Sequence, residues 1–279
     1  MTVSAAAALV AEAGRLVVFT GAGMSAESGV PTFRDDLTGL WARYDAERLA
    51  TPEAFHADPD LVWGWYEWRR SRARAAVPNA GHRAVAALAA HIPATTVVTQ
   101  NVDDLHERAG STAVVHLHDS LFAPRCIGTP PHPAVFAGSD EPEEGRRLAP
   151  PRCIGTPPHP AVFAGSDEPE EGRRLAPPRC SSCGSLVRPG VVWFGEQLPE
   201  DALAAAVEAA ADCDVLLTVG TSGVVYPAAE VPRIAARFGA AVIQVNPDPT
   251  PLDAVSTLNL RGTAATILPQ LVPQGSTGS

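Results

Sequence analysis

Lysine is absent from this chain of 279 residues: all 21 of its basic side chains are arginines. Set against 31 acidic residues they leave a formal net charge of -10, which argues against the broad basic footprint of a nucleic-acid binder. One local stripe, Arg69-Arg70-Ser71-Arg72-Ala73-Arg74, departs from that balance and needs its own account. Long apolar runs are missing too. None approaches the ~18 to 20 residues of a membrane span, and no basic segment precedes the apolar stretch near the start. The chain therefore reads as soluble and cytoplasmic, with neither a membrane nor a nucleic acid as partner. Cysteine is scarce, five in all, too few for a disulfide scaffold at this length. Two of the five, Cys180 and Cys183, form a Cys-x-x-Cys pair, which points to metal or redox use.

What is present suits an α/β fold. With 46% apolar residues the chain can build one large core and carry a smaller lobe. Residues 4–13 are alanine-rich and helix-prone, and the apolar run Leu16-Val17-Val18-Phe19 after Gly14 is short enough for a buried parallel strand. Further buried strands are expected at Thr95–Thr99, Val114–Leu117, Val191–Phe194, Val215–Val219 and Ala241–Val245, with helices near 79–91, 200–211 and 227–238. Strands alternating with helices predict a doubly wound, Rossmann-like parallel sheet. Two inserts interrupt it: 34–77, helical and holding four of the five tryptophans, and 123–187, which holds four of the five cysteines. The expected division is 1–33, 78–122 and 188–272 for the sheet domain and 34–77 with 123–187 for the small lobe, leaving 273–279 as a disordered tail.

The second insert repeats itself. Pro124–Pro150 recurs letter for letter as Pro151–Pro177. Solenoid repeats diverge and come in longer series, so an identical pair reads as a tandem duplication or an assembly error, and the extra copy as a solvated loop.

The chemistry begins where the first strand ends, at Gly21-Ala22-Gly23-Met24-Ser25-Ala26. This fits G-x-G-x-x-G/A, in which small residues let backbone amides approach a pyrophosphate. Alone the motif is weak, because glycine turns between strand and helix also serve packing. The acidic residue that an ordinary dehydrogenase carries after its second strand is not found, which weakens a hydride-transfer reading.

Extended to Arg34, the segment GAGMSAESGVPTFR resembles the sirtuin signature. Further blocks of that family follow in order: Thr99-Gln100-Asn101-Val102-Asp103-Asp104-Leu105-His106, Val115-His116-Leu117-His118, Val191-Val192-Trp193-Phe194-Gly195-Glu196, Gly220-Thr221-Ser222 and Val245-Asn246. The resemblance implies an NAD-dependent protein-lysine deacylase acting on acylated lysine side chains. It implies NAD contacts from Gly21, Ala22, Gly23, Ser25, Ala26, Phe33, Arg34, Gln100, Asn101, Asp103, Gly220, Thr221, Ser222 and Asn246. It also implies His118 as the general base that activates a ribose hydroxyl, with Asn101 and Asp103 beside it; an imidazole titrating near neutrality suits that task. His106 and His116 have no matching role and read as structural. Val192, Trp193, Phe194 and Gly195 are expected to offer backbone to an extended peptide by strand addition, although the valines also suit an ordinary core strand. Tyr66 and Arg69 resemble the Tyr-x-x-Arg pair of the desuccinylase and demalonylase branch, in which a hydroxyl and a guanidinium meet an acyl carboxylate. Ala46 matches a small residue that leaves room in that pocket. The competing account puts Arg69 on a solvated basic helix face with Arg70, Arg72 and Arg74.

Two departures stand out. Members of the family bind structural zinc through two Cys-x-x-Cys pairs, giving a zinc-ribbon-like lobe, but here Cys126 and Cys153 are followed at the partner position by Thr129 and Thr156. The duplication offers Cys126, Cys153, Cys180 and Cys183 as a set; the other outcome is a lobe without metal. Asp119 also replaces the glycine that follows the family's catalytic histidine, and its carboxylate is expected to favour the imidazolium form of His118 and slow deacylation. An NAD hydrolase or ADP-ribosyltransferase using the same site is the alternative reaction, and a non-enzymatic NAD-binding module is a third reading.

Overall fold

The computed structural model describes residues 3–30, 45–128, 132–133 and 172–273. Their strands are β1 (Arg15–Thr20), β2 (Ala94–Thr99), β3 (Val114–His116), β4 (Arg125–Cys126), β5 (His132–Pro133), β6 (Val187–Arg188), β7 (Val215–Val219), β8 (Ala241–Val245) and β9 (Leu258–Leu260). The chain forms two compact units. The first holds the described residues up to 30, then 76–118 and 197 onward; the second holds 45–75 and those between 119 and 196.

The first unit is a six-stranded sheet in the order β3-β2-β1-β7-β8-β9, with every neighbouring pair parallel. Alternation along β1 explains its central place. Leu16 and Val18 face one side, with Val97, Val215, Leu217, Ile243 and helices Val3–Glu12 and Ala80–His91; Val17 and Phe19 face the other, with Val98, Leu216, Val242 and helices Glu200–Asp212 and Glu230–Arg237. A strand buried on both faces needs an unbroken apolar run, and Leu16–Phe19 supplies it. Because β2 lies on one side of β1 and β7 on the other, the winding direction reverses between β1 and β7. The crevice outside the carboxyl ends of that pair is where open α/β sheets take ligands.

Helix Ala80–His91 begins with a reciprocal cap. Asn79 Oδ1 accepts from the backbone N–H of Gly81 (2.8 Å) and His82 (3.3 Å), and His82 Nδ1 accepts Asn79 N–H in return at 3.3 Å. His82 is thereby aimed inward and wholly buried.

In the second unit β4 lies between β5 and β6, antiparallel to both, beside helices Ala46–Leu49, Pro52–Ala57 and Pro59–Ala75. Trp63, Cys126, Cys180 and Val187 form its core with Leu175. The expected strand Val191–Phe194 does not form: Val191 makes one bridge to Asp119, and the chain then turns. Three contacts bend it. Arg188 pairs with the Glu196 carboxylate through both terminal nitrogens, Glu196 Oε2 accepts Trp193 N–H at 2.8 Å, and Gly195 takes a φ of 86°. The bridge to Asp119 also groups 119–122 and 188–196 with this unit, where the sequence pattern had put them with the sheet domain. Residues 129–131 and 134–150 of the first repeat copy, 151–171 of the second and 274–279 of the expected tail lie outside the described residues.

Candidate active site

The turns after β1 and β7 meet back to back. Gly21 N–H donates to Val219 O (3.0 Å) and Gly23 N–H to Gly220 O (2.9 Å), while Gly220 N–H donates to Val245 O (3.0 Å). A Cβ on Gly23 would stand 2.8 Å from Gly220 Cα, and Gly220 itself has a φ of 59°, so close approach and left-handed backbone both demand glycine here. Around this junction Gln100 Nε2 donates to Thr221 Oγ1 and Asn246 Nδ2 to Thr221 O, each at 2.9 Å. Gly21, Ala22, Gly23, Gln100, Gly220, Thr221, Ser222 and Asn246 thus cluster where β1, β2, β7 and β8 end. A side-chain-free turn ringed by amide and hydroxyl donors fits a dinucleotide. Ala26 is exposed at the end of the short helix Gly23–Ala26; Phe33 and Arg34 lie outside the described residues.

Ser25 links this junction to the segment after β2. It is buried, and Asn101 Nδ2 donates to its Oγ at 3.0 Å. Asp103 is buried as well, with Oδ1 accepting Leu105 N–H at 3.1 Å; burial raises its carboxyl pKa, and hydrogen bonds from Leu105 and Ser25 oppose the rise. His118 lies half-buried just past β3, with Nδ1 2.9 Å from Gln100 O. A carbonyl only accepts, so Nδ1 carries the proton and the basic lone pair of the neutral ring is on Nε2. Of the residues expected to act, Ser25, Gln100, Asn101, Asp103 and His118 are therefore connected through hydrogen bonds or adjacent backbone.

Sequence reading missed a layer beneath them. His82 and His106 stack edge to face at 5.0 Å, His106 Nε2 lies 3.1 Å from Thr20 Oγ1, and Thr20 bonds Thr99 at 2.8 Å. Burial first, with nearby positive charge second, lowers the pKa of both imidazoles, that of His82 to about 4. His82 gave no signal in an alanine-rich helix pattern; only its cap distinguishes it.

In the second unit Tyr66 and Arg69 share a face of helix Pro59–Ala75. Tyr66 is buried, its hydroxyl accepts Trp193 Nε1–H at 3.0 Å, and burial raises its pKa, so the phenol stays protonated. The Arg69 guanidinium stands 5.4 Å from the Tyr66 ring centre and 4.9 Å from that of Trp65. Ala46 is buried in helix Ala46–Leu49. Of the expected basic face, Arg72 and Arg74 are exposed, Arg74 with its guanidinium over the Phe122 ring, whereas Arg70 is buried, donates to Leu121 O at 2.8 Å and pairs with Glu67. Within the turn 191–196, Phe194 N–H already donates to Ala50 O (2.9 Å) and the Trp193 ring lies 3.4 Å under Arg188. Two of the backbone donors expected to meet a peptide are thus engaged inside the unit, while the Phe194 side chain is exposed. Asp119 has the left-handed φ of 57° that suits a glycine position, and its carboxylate lies 3.3 Å from Arg125 Nη1.

The sulfurs of Cys126, Cys180 and Cys183 lie within 4.8 Å of one another, the first two buried and the third exposed. Three converging thiols match part of a tetrahedral zinc set. Cys153, the expected fourth, lies outside the described residues, as do Thr129 and Thr156.

Comparison with known proteins agrees with this arrangement. Residues 21–227 match the Sir2 family. An NAD-dependent protein deacylase 1 of Pseudomonas aeruginosa is 53% identical over 97% of this chain and 98% of its own. A solved Sir2 homologue in complex with NAD superposes with a TM-score of 0.76 at 42% identity, over 96% of this chain and 92% of that one. A Sir2 structure with a p53 peptide and NAD gives 0.74 at 29% identity, over 96% of each chain. On the extent of these matches, and on the order in which its motifs meet at the strand ends, the chain belongs to the Sir2 family, the sirtuins.

Proposed function

We propose that the protein is an NAD-dependent protein-lysine deacylase that favours acidic acyl groups such as succinyl and malonyl, yielding nicotinamide, O-acyl-ADP-ribose and the free lysine. The observation that carries this reading is the tautomer of His118: with Nδ1–H committed to Gln100 O, Nε2 is the atom that accepts a proton. NAD, when bound, supplies the ribose carbon that gives up nicotinamide and receives the acyl oxygen. Gln100, Asn101 and Asp103 orient the ribose and the amide, and His118 Nε2 takes the proton of a ribose hydroxyl. The glycine turns with Ser25, Thr221, Ser222 and Asn246, together with Phe33 and Arg34, hold the rest of the dinucleotide. The names of the Pseudomonas relative and of the NAD and p53-peptide complexes support the same cofactor and a protein substrate.

The acyl preference rests on Tyr66 and Arg69, with Ala46 leaving room, and Val192, Trp193, Phe194 and Gly195 receive the peptide. Cys126, Cys180 and Cys183, with Cys153 or another ligand in fourth place, hold structural zinc; metal analysis of the purified protein tests this, and a value near zero removes it. Unbridged thiols suit a reducing, cytoplasmic setting.

The deciding experiment measures nicotinamide release with succinylated, acetylated and no peptide in parallel, for the wild type and Arg69→Met. A charge-assisted hydrogen bond worth ~1.5–3 kcal/mol predicts that Arg69→Met lowers kcat/KM for succinyl peptide by about ten- to a hundredfold while sparing acetyl peptide. Equal loss on both peptides refutes the acyl preference. Equal nicotinamide release without any peptide refutes deacylation and favours NAD hydrolysis.

A further inference from the structure

His116, the last residue of β3, takes no part in the chemistry above, yet both of its ring nitrogens are engaged. Nδ1 lies 3.1 Å from Asn101 O and Nε2 lies 2.7 Å from Glu107 Oε1. The side chain is only 11% exposed. The carbonyl requires a proton on Nδ1, and the short contact to the carboxylate holds a second on Nε2, which makes a largely buried imidazolium–carboxylate pair. Burial on its own lowers the His116 pKa, but the Glu107 hydrogen bond and charge, then Asn101 O and Asp103, outweigh it and raise the pKa overall. Glu107 belongs to the single-turn helix Leu105–Arg108, which follows Asp103 after its N-cap Asp104. One imidazole therefore ties the start of the segment 101–107 to its end.

The consequence falls on Asn101. Its backbone N–H donates to Thr99 Oγ1 at 3.0 Å, its side-chain amide donates to Ser25 at 3.0 Å, and its carbonyl accepts from His116. Of these three tethers the one from His116 is charged. We propose that His116 is a positioning residue for NAD: by donating to Asn101 O and pairing with Glu107, it fixes the backbone that presents Asn101 and Asp103 to the nucleotide. This rests on the NAD reading of Asn101 and Asp103. It also gives the His-x-His of the third strand two separate tasks, with His118 exchanging a proton and His116 holding two in place.

Two variants divide the ring's contacts. In His116→Asn the amide nitrogen stands near Nδ1 and keeps the donor to Asn101 O; in His116→Gln it reaches toward Nε2 and keeps only Glu107. The readouts are the NAD Kd by titration calorimetry without peptide, and the separate KM values for NAD and acyl peptide. Loss of a charge-assisted bond predicts that His116→Gln raises the Kd and KM for NAD about tenfold with the peptide KM unchanged, and that His116→Asn stays within about threefold. Equal weakening by both variants, or NAD and peptide constants that rise together, would make His116 a plain strut and overturn the proposal. If His116→Gln does not fold, Glu107→Gln decides by the same readouts: it removes the pair that His116→Asn removes, so a rise of about threefold in the NAD Kd with an unchanged peptide KM supports the proposal, and an unchanged Kd, or a peptide KM that rises with it, rejects it. A wild type that binds no NAD at all would instead reject the reading of Asn101 and Asp103 on which the proposal stands.

Discussion

Acidification tests the buried imidazole layer through a single cap. His82 is wholly buried, its Nδ1 accepts Asn79 N–H, and its pKa is pushed down to about 4 from an ordinary 6.5. A proton on Nδ1 would set two donors face to face across the helix start, so protonation costs the cap as well as burying a charge. Because the folded value lies below the unfolded one, the native state binds fewer protons than the unfolded chain between pH 4 and 6.5. The His82 contribution is complete above the unfolded pKa and is lost as the pH falls toward the folded value. That difference bounds the total loss at ~3 kcal/mol, of which ~2 kcal/mol is expressed between pH 7 and pH 5. The assay is urea unfolding at those two pH values for the wild type and His82→Asn, in which an amide oxygen keeps the acceptor for Asn79 N–H and cannot ionise. His106 titrates in both proteins, and burial, the larger cause of its lowered pKa, is kept in the variant, so most of its share cancels in the comparison. The wild type should lose ~2 kcal/mol more than the variant on acidification. Equal losses refute the assignment of the acid sensitivity to His82.

Three further outcomes follow from the same structure. Tyr66→Phe leaves Trp193 Nε1–H buried without its oxygen, a cost of ~1–3 kcal/mol that thermal denaturation should show as a lower Tm; an unchanged Tm contradicts the contact. Gly23→Ala drives a methyl group into Gly220 and should weaken NAD binding in calorimetry by about tenfold or more, whereas an unaltered Kd would mean that the turns can separate freely. For Asp119→Gly the Arg125 guanidinium already answers the carboxylate, and an ion pair exposed by about a third is worth ~0–1 kcal/mol, so turnover near neutral pH should stay within about twofold. A large rise would show that the carboxylate acts on His118 instead.

Much of the sheet was legible because its signals are local. Leu16–Phe19 is apolar at successive positions between Gly14 and Gly21, and Val215–Val219 before Gly220 and Ala241–Val245 after Gly239 are short apolar runs interrupted by a single polar residue each. Val191–Phe194 carries the same strand-like residues and misled, since what bends it is a carboxylate–guanidinium fork from Glu196 to Arg188 together with Gly195. The site divides along the same line. Motif order brought Gly21, Asn101, Asp103 and His118 into view, but the tethers that hold them depend on partners distant in the sequence. Ser25 meets Asn101 across 76 positions, and Tyr66 meets Trp193 across 127. Arg70 looked like one of four surface charges because nothing in its neighbourhood announces that Leu121 O and Glu67 are waiting inside. Side-chain periodicity reports which face is buried; it does not report which polar groups are buried together.

The ion pairs that brace the second unit, Arg70 with Glu67, Arg188 with Glu196 and Arg125 with Asp119, are built from guanidinium groups throughout. If the proposed deacylation holds, the protein works among lysine-acylating chemistry, and its own sequence offers that chemistry no side-chain amine. None of its braces can be neutralised by the modification it removes, and no side chain of one copy can serve as the substrate lysine of another. On that reading, the upkeep of the fold is separated from the acylation state of its surroundings.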